Sequence, residues 1–353
     1  MEKDVKKETL GSFLSKVLDG TAVAVVVALI PNAILASVIK PFLPHDALAE
    51  YLHIIQVFQF FTPIMAGMLA AQKFDFTPMQ QVAVGGAAYI GSGAWAYSEV
   101  VKDGVTTGTF ALRGIGDLIN TMLTIALAVL AVKLVGRYFG ALNIILLPII
   151  IGTGVGYVGW KLLPFVSQIS TMIGQGINSF TVLQPVLMSI LIAMSFSILI
   201  ITPISTVAIG LAIGLEGLAA GAASMGLAAT AAVLVCGTVR TNKVGVPLAV
   251  FLGAMKMMMP NFFKHPIMAI PVLITAALSA LSIPLFNLIG TPASSGFGLV
   301  GMVGPIASLE GGSGVLIIVL AWLVIPFIVG FIANKVCQDV LKLYSKDIFI
   351  FKG

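Results

Sequence analysis

Glu216 and Glu310 are the side chains in this protein best able to do chemistry. Between residues 138 and 334 the formal charges are Lys161, Glu216, Arg240, Lys243, Lys256, Lys264 and Glu310, so these two glutamates are the acidic groups of a long apolar stretch. Glu216 stands in Ala212-Ile213-Gly214-Leu215-Glu216-Gly217, and Glu310 in Ser308-Leu309-Glu310-Gly311-Gly312. An ionised carboxylate accepts several hydrogen bonds, and N–H groups freed in glycine-rich backbone donate. Together they suit a solute rich in hydroxyls, or a site that takes up a proton. At the centre of a membrane span a carboxylate costs roughly 2.5–3.5 kcal/mol on insertion scales. The competing reading for each is a glutamate at a helix end or in a loop, facing water.

Ser294, Asn242, Asn261 and His265 complete the candidate substrate-binding set. A histidine can relay protons, although one lone histidine beside a membrane boundary more often serves structure. Lys256, in Met255-Lys256-Met257, either snorkels its ammonium to a headgroup or pairs with an internal carboxylate. Asp117 and Asn120 open an apolar run, and a carboxylate at a helix start is explained by the helix dipole. Gly154-Val155-Gly156-Tyr157-Val158-Gly159 fits G-x-G-x-x-G, but no strand precedes it. Close helix packing explains it better, as it does for Gly210/Gly214 and Gly217/Gly221. Cys236 and Cys337 offer neither a disulfide framework nor metal-ligand spacing. There is no nucleophile elbow, Walker motif or H-E-x-x-H. No catalytic residue, cofactor or metal is expected.

The elements that must hold these groups follow from composition. Of the 353 residues 59% are apolar and 9% are charged, where a soluble domain carries about 25% charged residues. The mean hydropathy is +1.09. A soluble enzyme, a nucleic-acid binder and a disordered regulator are all excluded. In lipid the backbone must satisfy itself, so helices or closed barrels remain. The apolar runs are too long and continuous for barrel strands. The fold class is therefore an all-α polytopic membrane protein. At about 20 residues per span plus a loop, it has about ten membrane segments.

Along the chain, Val17 to Ile39, Leu52 to Ala71, Leu118 to Val135, Leu142 to Leu163, Val186 to Ile201 and Val315 to Val336 read as spans. The second of these carries Pro63. Val82 to Tyr97 is rich in small residues, and Ser98 to Gly116 is the longest hydrophilic loop, expected outside. Pro164 to Leu183 is too polar for a lipid-exposed span, which fits a re-entrant or amphipathic segment. Ile204 to Val235 reads as one long segment dominated by Gly and Ala. Val244 to Pro260 is short and broken by Pro247, and Pro266 to Ile289 carries Pro271 and Pro284. Thr291 to Gly314 is glycine-rich, holds Pro292 and Pro305, and is too interrupted for one helix. Irregular backbone at membrane depth persists only inside protein or beside a wet cavity, and broken helices are where transporters place solutes.

The two glutamate stretches echo one another weakly. Thr202-Pro203-Ile204-Ser205-Thr206 precedes Leu215-Glu216-Gly217, and Thr291-Pro292-Ala293-Ser294-Ser295 precedes Leu309-Glu310-Gly311. The spacings differ, and chance similarity between Gly/Ala-rich stretches is the simpler reading.

Lysines gather at both ends: Lys3, Lys6, Lys7 and Lys16, then Lys335, Lys342, Lys346 and Lys352. Basic flanks favour the cytoplasm, so both termini are expected there, with an even number of crossings. Residues 1–16 would be a cytoplasmic segment, 17–336 a single transmembrane transport domain and 337–353 a cytoplasmic tail.

Three stretches carry a family likeness: TPISTVAIGLAIGLEGLAAGAASMG, NKVGVPLAVFLGAMKMMMPNFFKHP and SGFGLVGMVGPIAS. Together they resemble the membrane subunit, enzyme IIC, of the bacterial phosphoenolpyruvate-dependent sugar phosphotransferase system. The likeness is to its stand-alone branch, some of whose members are described as regulators of a clostridial toxin gene. It runs from about Ser12 to Cys337. It implies about ten helices with re-entrant hairpins, a homodimer in the bacterial inner membrane, and a sugar-bearing part that moves like an elevator. Sugar phosphorylation in that family needs phosphocarrier domains; none is fused here, so either they act in trans or the chain does not couple to phosphorylation. In that family a hairpin glutamate and a nearby histidine contact the sugar, which makes Glu310 the nearest match and His265 a looser one. The usual Gly-Ile-Thr-Glu-Pro run is replaced by Ala-Ser-Leu-Glu-Gly, ending at Gly311.

The primary expectation is thus a transporter of a sugar or similar small polar solute. A membrane sensor that binds a solute without net flux, and a proton-coupled secondary carrier using the same carboxylates, are the alternatives.

Overall fold

The computed structural model describes residues 9–39, 42, 45–102, 105–135, 138, 140–292 and 294–351. Among them, seven helices are long and apolar enough to cross a membrane: Leu10–Leu29, Asp46–Gln72, Leu118–Val135, Asn143–Val182, Gly217–Thr238, Pro266–Phe286 and Val315–Val340. Two shorter apolar helices, Pro185–Leu199 and Val300–Glu310, accompany them. The protein is an all-α polytopic membrane protein. The expected single domain, 17–336, divides into two compact units, residues 1–28 with 58–164 and residues 29–57 with 165–353.

Helix α1 (Leu10–Ile39) contributes to both units and carries Pro31. It starts before Val17, so part of the expected cytoplasmic segment 1–16 is helical. The expected span Leu52 to Ala71 is two helices, α2 (Asp46–Gln59) and α3 (Thr62–Gln72), because Pro63 sits in the first turn of α3, where a missing N–H is harmless. Helix α4 (Pro78–Ser92) opens with a capping box between Thr77 and Gln80 and ends at Gly93, whose φ is +72°. A left-handed residue there suits glycine.

The expected outer loop is instead an antiparallel hairpin. Strand β1 (Trp95–Lys102) pairs with β2 (Val105–Leu112) in the register Trp95 to Leu112 and Tyr97 to Phe110. Aromatic and β-branched residues in alternation explain it. Helix α5 (Leu118–Val135) matches its expected bounds. Asp117 accepts from the Asn120 N–H at 2.8 Å, which confirms its capping role. Helix α6 (Asn143–Leu147) and a π-helical stretch lead into α7 (Gly156–Asn178), which contains Pro164 in its interior. The polar stretch after Pro164 is therefore the amphipathic end of a helix.

The first unit closes through small residues. A Cβ at Gly67 would lie 2.7 Å from Gly85 Cα, and Gly156 faces Ile90 and Ala87. The Asn120 amide donates to the carbonyls of Gly91 (2.6 Å) and Gly159 (2.8 Å), tying α4 and α7 to α5. The G-x-G-x-x-G run is thus helix packing.

In the second unit, α8 (Pro185–Leu199) is followed by the short α9 (Thr206–Ala212) and the long α10 (Gly217–Thr238). The long segment Ile204 to Val235 is broken between α9 and α10, where Gly214, and Gly217 at the start of α10, take φ of +63° and +57°. These two glycines make the turn, so small-residue packing is left to Gly210, against Ser295, and Gly221, against the Leu288 carbonyl. Helix α10 is 89% buried and is the axis of this unit. After it come α11 (Gly245–Phe251), α12 (Met259–Lys264), α13 (Ala269–Ala280), α14 (Ser282–Phe286), α15 (Val303–Glu310), α16 (Val315–Val319) and α17 (Ile325–Lys335). Helices α8, α13 and α17 pack around α10. Its Gly and Ala residues let neighbours approach closely: Gly226 meets the Ala193 backbone and Gly330 meets Ala232 and Val233. Thr230 adds a 2.9 Å bond to the Ser197 carbonyl.

Candidate functional site

The two broken stretches meet in the second unit. Gly217, at the start of α10, forms an antiparallel bridge with Gly290: its N–H donates to the Gly290 carbonyl at 3.1 Å, and the Gly290 N–H returns a bond of 2.9 Å. On the other flank of the same segment, the Ser308 hydroxyl donates to the Ile289 carbonyl at 3.1 Å. Gly311 lies against the Ile289 side chain so closely that it has no room for a Cβ. Two further bonds lock the stretches together, Thr206 hydroxyl to Gly296 carbonyl (3.0 Å) and Ser224 hydroxyl to Ser294 carbonyl (2.7 Å).

Glu216 directly precedes Gly217, and Glu310 directly precedes Gly311. The two carboxylates are therefore borne on opposite flanks of one extended segment, Ile289–Gly290. Both side chains are exposed. Glu216 occupies the N-cap position of α10, with extended backbone and no side-chain cap bond, so its carboxylate stays open while standing at the positive end of a long helix dipole. Glu310 is the last residue of α15. The neighbouring N–H groups are not free as donors. Those of Gly217, Gly290, Gly311 and Gly312 go to the carbonyls of Gly290, Gly217, Ala307 and Leu309. The two carboxylates, by contrast, are exposed.

Ser294 is buried beneath them. Its hydroxyl accepts from the Thr291 N–H (2.8 Å) and donates to the Thr291 carbonyl (3.0 Å). The proton of that hydroxyl is spent on the turn. Lys256 neither snorkels to a headgroup nor pairs with a carboxylate. Its ammonium donates to the carbonyls of Thr202 and Ile204 (2.8 Å to the latter), which bracket Pro203. The Lys256 side-chain nitrogen satisfies the acceptors of the chain break that precedes α9.

Asn242, Asn261 and His265 are not brought to the glutamates. Helix α10 separates Glu216 from Asn242, and its 22 residues rise about 33 Å at 1.5 Å each. His265 stands just before the 21-residue Pro266–Phe286 span, at the far end from Gly290 by about 30 Å. At that far end the asparagines hold the C-terminal segment. Asn242 donates to the Phe349 carbonyl (2.7 Å) and accepts from the Phe351 N–H (2.8 Å). Asn261 donates to the carbonyls of Ile348 (2.7 Å) and Ile350 (2.8 Å). Phe349 is fully buried against Gly237. The Tyr344 hydroxyl donates to Asn334 at 3.0 Å, and burial pushes its pKa above the ordinary 10.0. Residues 344–351, expected as a tail, are a packed part of the unit.

The sequence reading missed the role of Ile289–Gly290 and of Ser308. The echoing Thr-Pro stretches were the available signal, since they turn out to touch. Among the described residues, no group of three or more His, Cys, Asp or Glu could hold a metal ion.

Interrupted apolar helices with exposed carboxylates at the interruptions define a polytopic membrane protein of the transporter type. The family model described as "Phosphotransferase system, EIIC" matches residues 15–351. The chain belongs to that family and is a membrane component of the phosphotransferase type. No curated protein and no solved structure matches it.

Proposed function

We propose that this chain carries a sugar, or a similar polyhydroxylated solute, across the bacterial inner membrane, with Glu216 and Glu310 accepting hydrogen bonds from its hydroxyls. The observation that carries this reading is the placement of two exposed carboxylates beside Ile289–Gly290, in a stretch, residues 138–334, whose other formal charges are all basic. A hydrogen bond to a charged group contributes about 1.5–3 kcal/mol, so two contribute about 3–6 kcal/mol, on the scale of the roughly 4 kcal/mol that a millimolar affinity requires. Ser294, Ser308 and the paired glycines shape the turn that presents them. Phosphorylation of the solute belongs to phosphocarrier proteins in trans. The working unit is a homodimer with both termini in the cytoplasm, and the second compact unit moves the solute by an elevator-type displacement.

Uptake of radiolabelled hexoses, pentoses and hexitols into proteoliposomes tests this. Accumulation of a phosphorylated sugar only when phosphorylated carrier proteins are enclosed is the expected result. Flux driven by a proton gradient alone would make the chain a secondary carrier. Binding with no flux under any condition would make it a sensor.

A further inference from the structure

One surface of the first unit lies outside the solute reading. Five aromatic rings and a lysine gather where the hairpin meets α7. Trp95 stacks on Trp160 at 6.0 Å between centroids and also lies 6.3 Å from Phe110. Phe110 packs on Tyr97 at 5.0 Å, and Trp160 on Tyr157 at 6.0 Å. The Lys161 ammonium stands 4.7 Å from the Trp160 ring centre and 5.4 Å from that of Tyr157. Despite this mutual packing, Tyr97, Phe110 and Tyr157 remain 51%, 74% and 56% exposed.

The register of the hairpin sorts its residues. Trp95, Tyr97, Phe110 and Leu112 share one face at the base, since Trp95 pairs with Leu112 and Tyr97 with Phe110. Farther out on that face stand the pairs Glu99 with Gly108 and Val101 with Thr106. The opposite face carries Ala96, Ser98, Thr107 and Thr109. The aromatic zone therefore ends after two residue pairs, about 7 Å along the strand. The bilayer is about 40–45 Å thick with a 30 Å core, which leaves about 5–7 Å for each interfacial layer. The two lengths agree. Trp and Tyr prefer that layer because one end of each ring system is apolar and the other is wet.

We infer that Trp95, Tyr97, Phe110, Tyr157 and Trp160 form an aromatic collar seated in the lipid headgroup layer, anchoring the hairpin to the membrane with its Glu99-bearing tip in water. Continuity with a membrane span selects lipid as the occupant. Tyr157, Trp160 and Lys161 belong to the Asn143–Val182 helix, which is long and apolar enough to cross a membrane and is mostly unburied within the protein, and the hairpin face extends from it through the Trp95–Trp160 stack. The faces of Trp160 are taken up by Trp95 and Lys161, so a planar ligand has little room to stack there.

Depth-dependent fluorescence tests the collar. In Trp322→Phe protein, the emission of Trp95 and Trp160 is measured in vesicles of phosphatidylcholine brominated at acyl positions 6,7 or at 11,12, and with aqueous iodide. The expected result is quenching by the 6,7-lipid at least twofold stronger than by the 11,12-lipid, with little effect of iodide. Dominant quenching by iodide would overturn the inference. So would absence of lipid quenching together with disulfide formation between two copies of Phe110→Cys, since a second copy would then cover this face. Should Trp322→Phe fail to fold, nitroxide labels at Phe110→Cys and Glu99→Cys give the same answer. The first must be the more accessible to oxygen and the second to a water-soluble nickel complex, and the reverse order would overturn the collar.

Discussion

The backbone positions of both glutamates are set by their neighbours: Gly217 bridges Gly290 through main-chain hydrogen bonds, and the end of α15 is tied to Ile289 by the Ser308 hydroxyl and the close approach of Gly311. Replacing Glu310 by Gln keeps the shape and removes the charge. Sugar binding should weaken by about 10–100-fold, from the loss of about 1.5–3 kcal/mol, with no change in the melting temperature. Binding measured by scintillation proximity on purified protein checks this. These glutamates stood out as candidates in the sequence because charge is so scarce between residues 138 and 334. Which of the other polar candidates join them was not legible. Asn242, Asn261 and His265 look similar in sequence, but helix lengths of about 30 Å carry them to the other end of the unit. Only the register of α10 and of the Pro266–Phe286 span decides that.

At the scale of elements, contact between backbones decides which glycines matter. A Cβ at Gly221 would press on the Leu288 carbonyl, whereas one at Gly86 would meet nothing within 4 Å. Gly221→Ala should therefore cost about 1–3 kcal/mol, while Gly86→Ala should be neutral or gain up to about 1 kcal/mol from helix propensity. Melting temperatures of the two variants in detergent check the contrast. The C-terminal segment is a second case. Asn261→Ala leaves the Ile348 and Ile350 carbonyls without their donor, which costs about 1–3 kcal/mol. Trypsin should then cut at Lys346 faster than in the native protein, with sugar binding unchanged. Tyr344 adds a pH signature. Its neutral phenol is the form the fold favours, so its contribution is full below pH 10.0 and falls as pH rises through its raised value. The absorbance titration of native protein minus that of Tyr344→Phe should place this phenol above the ordinary tyrosine range. Span positions such as Leu118–Val135 were readable from hydropathy. The break before Glu216 and the hairpin were not, because Gly/Ala-rich chain has no apolar periodicity to lose, and alternation over eight residues is a weak signal amid long apolar runs.

For the whole molecule, family membership accounts for the apolar composition, the interrupted helices and the missing catalytic motifs together. In the proposed reading the chain needs no nucleophile of its own, because the phosphoryl group is brought by a partner. What such a membrane component must supply is a place for the solute, and we propose the Ile289–Gly290 segment with its two flanking glutamates as that place. The most direct measurement compares sugar binding by native protein, Glu216→Gln, Glu310→Gln and His265→Ala at equal folded concentration. The account predicts that both glutamate variants lose at least tenfold in affinity while His265→Ala stays within twofold of native. Unchanged affinity in both glutamate variants, or a loss confined to His265→Ala, would contradict it.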